Sequence, residues 1–158
     1  MEPIHYASAG KLASLVQSGQ LSPLELMEAT LRRIDETNGK LNAFVSFDPD
    51  RSLAVAKAAT EALASGRKPR PLEGIPLAVK DLADVGGLIT TFGSAPFKEN
   101  IALVDSIQVE RLRKAGAIVV GKTNTPEFGH TGFTKNRLFG ATRNPWNLER
   151  TPGGSSGG

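Results

Sequence analysis

The 158 residues include no cysteine, which removes a disulfide framework and any thiolate metal site from consideration. Only two histidines occur, and no motif sets an acidic partner beside His130, so His130 reads as a loop residue rather than the base of a Ser–His pair. No apolar run approaches the ~20 residues of a membrane-spanning helix. The N-terminus also lacks the charged and apolar regions of a signal peptide, so a cytoplasmic protein with no membrane partner is expected. The cations fall into separate clusters at Arg32/Arg33, Arg67/Lys68 and Arg111/Arg113/Lys114, not along one stripe. The formal net charge of +3 therefore does not indicate a nucleic-acid surface. Neither an internal repeat nor an interdomain linker is visible, and the length suits one core.

What stands out is the end of the chain. Ser155 and Ser156 sit between two glycine pairs in the run GGSSGG, residues 153–158. Glycine admits backbone angles closed to other residues and lets a second group approach the main chain, so the run reads as a tight cradle with hydroxyls at its floor. The alternative is a flexible Gly/Ser linker. Asn144, Pro145 and Trp146, with Thr151 and Pro152, favour the cradle by supplying a stiff, aromatic-anchored approach.

Earlier in the chain, apolar spacing predicts a helix over residues 6–18, with Ala9, Leu12, Ala13, Leu15 and Val16 on one face and Gly19 closing it. Ser22, Pro23 and Glu25 form a capping box for a second helix, which carries Leu24, Met27, Leu31 and Ile34 and ends near Asn38 and Gly39. Its charged residues read as a solvated face. Residues 41–47 read as extended, and residues 49–65 as a helix closed by Gly66. Residues 67–71 form a turn with solvated basic side chains. A buried strand over 75–79 and a second extended piece over 88–93 follow. Asp105 as cap, Gln108, and a Val104/Val109 staple then mark a helix ending at Ala115, with Gly116 beyond it. Residues 117–120 read as a strand and 121–133 as a loop. The alternation implies an α/β fold: one partial domain over 1–158, mainly helical over 1–66 and α/β over 67–158.

Residues 116–123, GAIVVGKT, match the phosphate-loop pattern letter for letter. That loop needs a strand before it, a curled glycine turn, and a helix directly after the lysine. Here a capped helix precedes Gly116, a β-branched run fills the middle, and Asn124, Thr125 and Pro126 follow. Nucleotide binding is rejected on that context, and no cofactor is expected.

Lys80 ends the run GIPLAVKD, residues 74–81. A lysine there either reaches past apolar neighbours to water or uses burial to lower its pKa and serve as a base. Alternation along the strand sends Asp81 to the opposite face, so Asp81 need not hold Lys80 charged.

The runs GIPLAVKD (74–81), AGAIVVGKTNTPEF (115–128), NPW (144–146) and GGSSGG (153–158) resemble, in order, the motifs of the amidase signature family of serine hydrolases. The resemblance implies the N-terminal part of an α/β/α sandwich with a mixed sheet, and cleavage of a carboxamide C–N bond by a Ser–cis-Ser–Lys triad. It makes Lys80 the general base and Ser155, on a cis peptide, the proton relay. Ser156 becomes a supporting hydrogen-bonding group, and Asn124, Thr125 and Gly129 fall near the substrate pocket. The family's nucleophilic serine and oxyanion hole lie beyond the Gly/Ser motif, so Gly158 precedes both. The expected partners are then a small amide substrate and the missing C-terminal part of the domain, with homo-oligomerisation open. The hydrolytic component of a glutamyl-tRNA amidotransferase and a non-enzymatic, partner-binding remnant stand as alternatives.

Overall fold

The computed structural model describes residues 3–158. A 3-10 turn at Ile4–Tyr6 precedes helix α1, Ala9–Gln17, which Ser8 caps by accepting the Lys11 N–H at 3.2 Å. The expected capping box opens α2, Pro23–Leu41. Glu25 accepts the Ser22 N–H at 2.8 Å, while Ser22 Oγ accepts the Glu25 N–H at 3.1 Å. α2 continues past Asn38 and Gly39 because Asn38 is used otherwise than as a stop. Its side chain accepts the N–H groups of Ala43 and Phe44 and donates to the Phe44 carbonyl, steering the chain into strand β1, Phe44–Phe47. Helix α3, Pro49–Ala64, is capped by Asp48.

The chain clusters into two compact units. The first takes the described residues up to Ile34, with Asp48–Leu77 and Arg111–Val120; the second takes Asp35–Phe47, Ala78–Glu110 and Gly121–Gly158. In the first unit Ala13, Val16, Leu26 and Ile75 form a buried cluster packed by Leu12, Leu21, Leu63 and Leu72. Within it the Leu24 N–H donates to Thr60 Oγ1 at 3.1 Å, tying the start of α2 to α3.

Strands β2, Pro76–Lys80, and β3, Ile118–Thr123, each contribute residues to both units. The sheet order is β1-β3-β2. β1 runs antiparallel to β3. β2 runs in the same direction as β3, since Ile118 N–H meets the Ile75 carbonyl and, further along both strands, Asp81 N–H meets the Thr123 carbonyl. The sheet is therefore mixed, as expected. The central strand β3 is buried at all six positions, which accounts for its unbroken apolar start.

Several local expectations are corrected. β3 runs three residues beyond Val120 because β1 pairs with that stretch, Phe47 opposite Gly121 and Phe44 opposite Thr123. A Cβ on Gly121 would lie 2.6 Å from the Phe47 Cβ, so glycine there allows the close crossing of β1 and not a phosphate turn. In place of a buried strand, β2 lies at the sheet edge with only Val79 buried and Ala78 exposed. The extended piece over 88–93 pairs only through the Ile89–Ile101 bridge and turns at Phe92 and Gly93, both at positive φ.

Helix α4 spans Ile107–Lys114; the Asp105 carboxylate before it accepts the Gly86 N–H at 2.7 Å, and Val104, 73% exposed, makes no staple. Trp146 is 94% exposed and anchors nothing; the turn it occupies is held by Asn144, which accepts the Trp146 N–H. The basic turn at 67–71 is not simply solvated, because Arg67 and Arg70 both close on the buried Glu73. After β3 comes a short hairpin, β4 (Lys135–Asn136) against β5 (Gly140–Ala141), that no sequence signal announced.

Candidate active site

Lys80 is the last residue of β2 and is half-buried. Its Nζ donates to Ser155 Oγ at 2.6 Å, across 75 residues of sequence. The Gly154–Ser155 peptide bond is cis. A Cβ on Gly154 would lie 2.9 Å from the Phe133 nitrogen and the Gly132 carbonyl carbon, so the Gly/Ser run packs against a neighbouring backbone as a cradle does. Thr134 Oγ1 holds the same run by donating to the Gly153 carbonyl at 2.9 Å.

Burial pushes the Lys80 ammonium below the ordinary lysine value. Among the described residues no carboxylate pairs with it. The adjacent acid, Asp81, takes the Lys122 ammonium at 2.9 Å. This is the division that strand alternation predicts. With Lys80 neutral the bond to Ser155 can reverse: the hydroxyl donates, the amine accepts, and Ser155 becomes able to take a proton from a further group.

The other anticipated positions divide. Gly129 adopts φ +69°, and a Cβ there would lie 3.7 Å from Ser155 Oγ and 2.8 Å from a Leu82 methyl, so its bare backbone lines the space beside Ser155. Thr125 Oγ1 reaches the Ser155 carbonyl at 3.3 Å and the Pro126 carbonyl at 3.1 Å. Asn124 is fully buried. It donates to Thr142 Oγ1 and the Gly140 carbonyl, and accepts from Thr125 N–H and Asn136 Nδ2. These bonds brace the loop behind the site. Ser156 is exposed and stands outside the Lys80–Ser155 bond.

Three groups escaped sequence reasoning. Asn136 ties the loop together, donating to Asn124 Oδ1 and the Thr125 carbonyl at 2.8 Å each. Thr90 and Thr91 surround the Asp81–Lys122 pair: Thr90 Oγ1 accepts from Lys122 at 2.8 Å, while Thr91 donates both its N–H and its hydroxyl to Asp81. Glu73 was equally unmarked, although an acid three residues after Arg70 was a usable signal. Burial would raise the Glu73 carboxyl, but hydrogen bonds from Arg70 and Arg67 outweigh it and hold the pKa at about 2.

A pocket of about 670 Å³ borders the same loop, walled by Phe128 and Phe133 with Glu127, His130 and Lys135 at its polar rim. Phe128, at φ 51°, stacks on Phe92, at φ 55°, with ring centroids 6.3 Å apart; Phe97 meets both edge-on. Among the described residues no cluster of acids and histidines suits a metal ion, and no helix is long and apolar enough to cross a membrane.

Comparison with known proteins finds a matching family. The family described as Amidase matches residues 25–158. An acylamidase of Rhodococcus erythropolis is 46% identical over 153 residues, which is 97% of this chain and 32% of that protein. A glutamyl-tRNA(Gln) amidotransferase subunit from Anaeromyxobacter dehalogenans is 46% identical over 143 residues, covering 90% of this chain and 29% of its own length. Among solved structures, a bacterial aryl acylamidase of the amidase signature family superposes with a TM-score of 0.93 at 34% identity, over 99% of this chain and 33% of that one. The chain spans about a third of the length of the curated relatives it matches.

Proposed function

The chain belongs to the amidase family, and from that premise we propose that it carries the proton path of a carboxamide C–N hydrolase. Lys80 is the general base, Ser155 the relay, and the attacking serine lies outside these residues. That hydroxyl adds to the substrate carbonyl and passes its proton to Ser155, which passes its own to Lys80. On collapse of the tetrahedral intermediate the C–N bond breaks and the proton returns along the path to the leaving nitrogen, giving ammonia or an amine and an acyl-enzyme. Water then attacks the ester by the same route, releasing the acid.

The observation that carries this reading is the 2.6 Å contact between Lys80 Nζ and Ser155 Oγ, made by a lysine that no carboxylate pairs among the described residues. Ser156 supports the cradle. Thr125 and Gly129 border the substrate, and Asn124 braces their loop. A cytoplasmic setting and association with the remaining part of the domain belong to the same reading. The edge position of β2 supports that association, because an unpaired edge templates pairing with another strand.

The likeness to glutamyl-tRNA(Gln) amidotransferase subunits favours a second reading, in which the same chemistry releases ammonia from glutamine for transfer. Glutamine tested beside simple aliphatic and aryl amides separates the two, by which substrate yields ammonia. For the 158-residue chain alone the expectation is no turnover, since the nucleophile and the oxyanion donors are missing from the proposed set, and loss of one such donor already costs about 10²–10³ in rate. Ammonia release by this chain that vanishes in Ser155→Ala would make Ser155 or Ser156 the nucleophile and overturn the division of roles.

A further inference from the structure

The proposed chemistry occupies Lys80 and Ser155 and leaves a second buried charge pair beside them. Asp81, the residue after the base, is 1% exposed, and Lys122 is 0% exposed. Lys122 Nζ donates to Asp81 Oδ1 at 2.9 Å, Thr90 Oγ1 at 2.8 Å and the Ile89 carbonyl at 3.4 Å, filling its three donor positions. Asp81 also takes the N–H and hydroxyl of Thr91, and its own N–H donates to the Thr123 carbonyl.

We infer that Lys122 is a positioning residue for Lys80: it cancels the charge of Asp81 and holds that carboxylate away from Ser155, so that the base keeps no counter-ion. The inference rests on the reading of Lys80 as the base. A carboxylate one residue from a lysine is its nearest source of a stabilising charge, and such a charge favours the ammonium. Here strand alternation and three converging donors keep Asp81 occupied on the other face. The other ionisable groups around this site are Asp84, which follows the strand and also acts on Lys122, and Glu127 and His130 in the loop that carries Gly129. Glu127 accepts from Ser94 Oγ at 2.6 Å. The side chains of the Gly/Ser run contribute only hydroxyls.

The test reads the proton affinity of Lys80 directly and needs no turnover. The 158-residue chain is labelled with trace acetic anhydride across pH 6–11, and acetylation of Lys80 is quantified by mass spectrometry against exposed Lys68, with circular dichroism to confirm folding. In Lys122→Met the midpoint for Lys80 should rise by about one pH unit, the scale expected of a newly unpaired charge nearby. Asp81→Asn should not raise it, and Asp81→Asn/Lys122→Met should return it to the unsubstituted value. If Lys122→Met does not fold, the other two variants still decide: a rise in either means that the pair acts by packing alone, and the proposal falls. An unchanged midpoint in folded Lys122→Met overturns it as well. Failure of the amidase reading would appear in the ammonia assay and leave these midpoints unaffected.

Discussion

Lys80 and Lys122 stand near the ends of neighbouring strands, and burial pushes both ammonium groups down. At Lys122 the hydrogen bond and charge of Asp81 oppose that push, so the side chain is a closed structural unit with every donor placed. At Lys80 no acid among the described residues opposes it, and the one partner is a hydroxyl. Burial alone therefore does not make a base. The difference lies in which lysine receives the single carboxylate between them, and backbone alternation decides that. Arg67 and Arg70 extend the contrast, since both are paired with the buried carboxylate of Glu73.

The comparison can be broken most sharply at the relay. In a protein of the relatives' length that carries these residues, Ser155→Ala should lower amide hydrolysis by about 10²–10⁴, while exposed Ser156→Ala should cost far less. Equal losses would dissolve the distinction between the two serines. Next in size is the structural lysine: Lys122→Met leaves a buried carboxylate unpaired and should cost about 3–5 kcal/mol in urea unfolding. A loss below about 1 kcal/mol would mean that Asp81 finds another partner.

Gly129→Ala forces a side chain into φ +69° beside Leu82 and Ser155, and should cost about 1–2 kcal/mol together with a fall in rate. Unchanged turnover would take Gly129 out of the site. Last is the acid response of Glu73, which is read in stability and not in rate. Its folded pKa of about 2 lies below the ordinary 4.5, so its contribution is complete above pH 4.5 and fades as pH falls through about 2. Glu73→Gln should flatten that part of the stability–pH curve, and an identical curve would deny the pairing with Arg67 and Arg70.

Much of this was legible from the sequence because it depends on local rules. The capping box of Ser22 and Glu25 acts within three residues, and Lys80 and the glycines around Ser155 stand out against the residues beside them, although Lys80 and Ser155 meet across 75 positions. Apart from Glu73, three residues from Arg70, what escaped notice depends on residues far apart in the chain. Asp81 and Lys122 are 41 positions apart, and Lys122 sat inside a false phosphate-loop pattern whose strand character was visible only as far as Val120. The antiparallel neighbour β1, which extends that strand through Thr123, comes from before residue 48. Trp146 misled for the opposite reason: an aromatic residue in a proline-rich turn suggests an anchor, but its burial depends on what surrounds the turn.

The central claim is that Lys80 is the base, and the most direct measurement is amide hydrolysis by Lys80→Met in a protein of the relatives' length carrying these residues. The methionine keeps the apolar stem and deletes the amine, so folding should be retained while ammonia release falls by about 10²–10⁴. A folded Lys80→Met protein that hydrolyses amides at close to the unsubstituted rate would contradict the account.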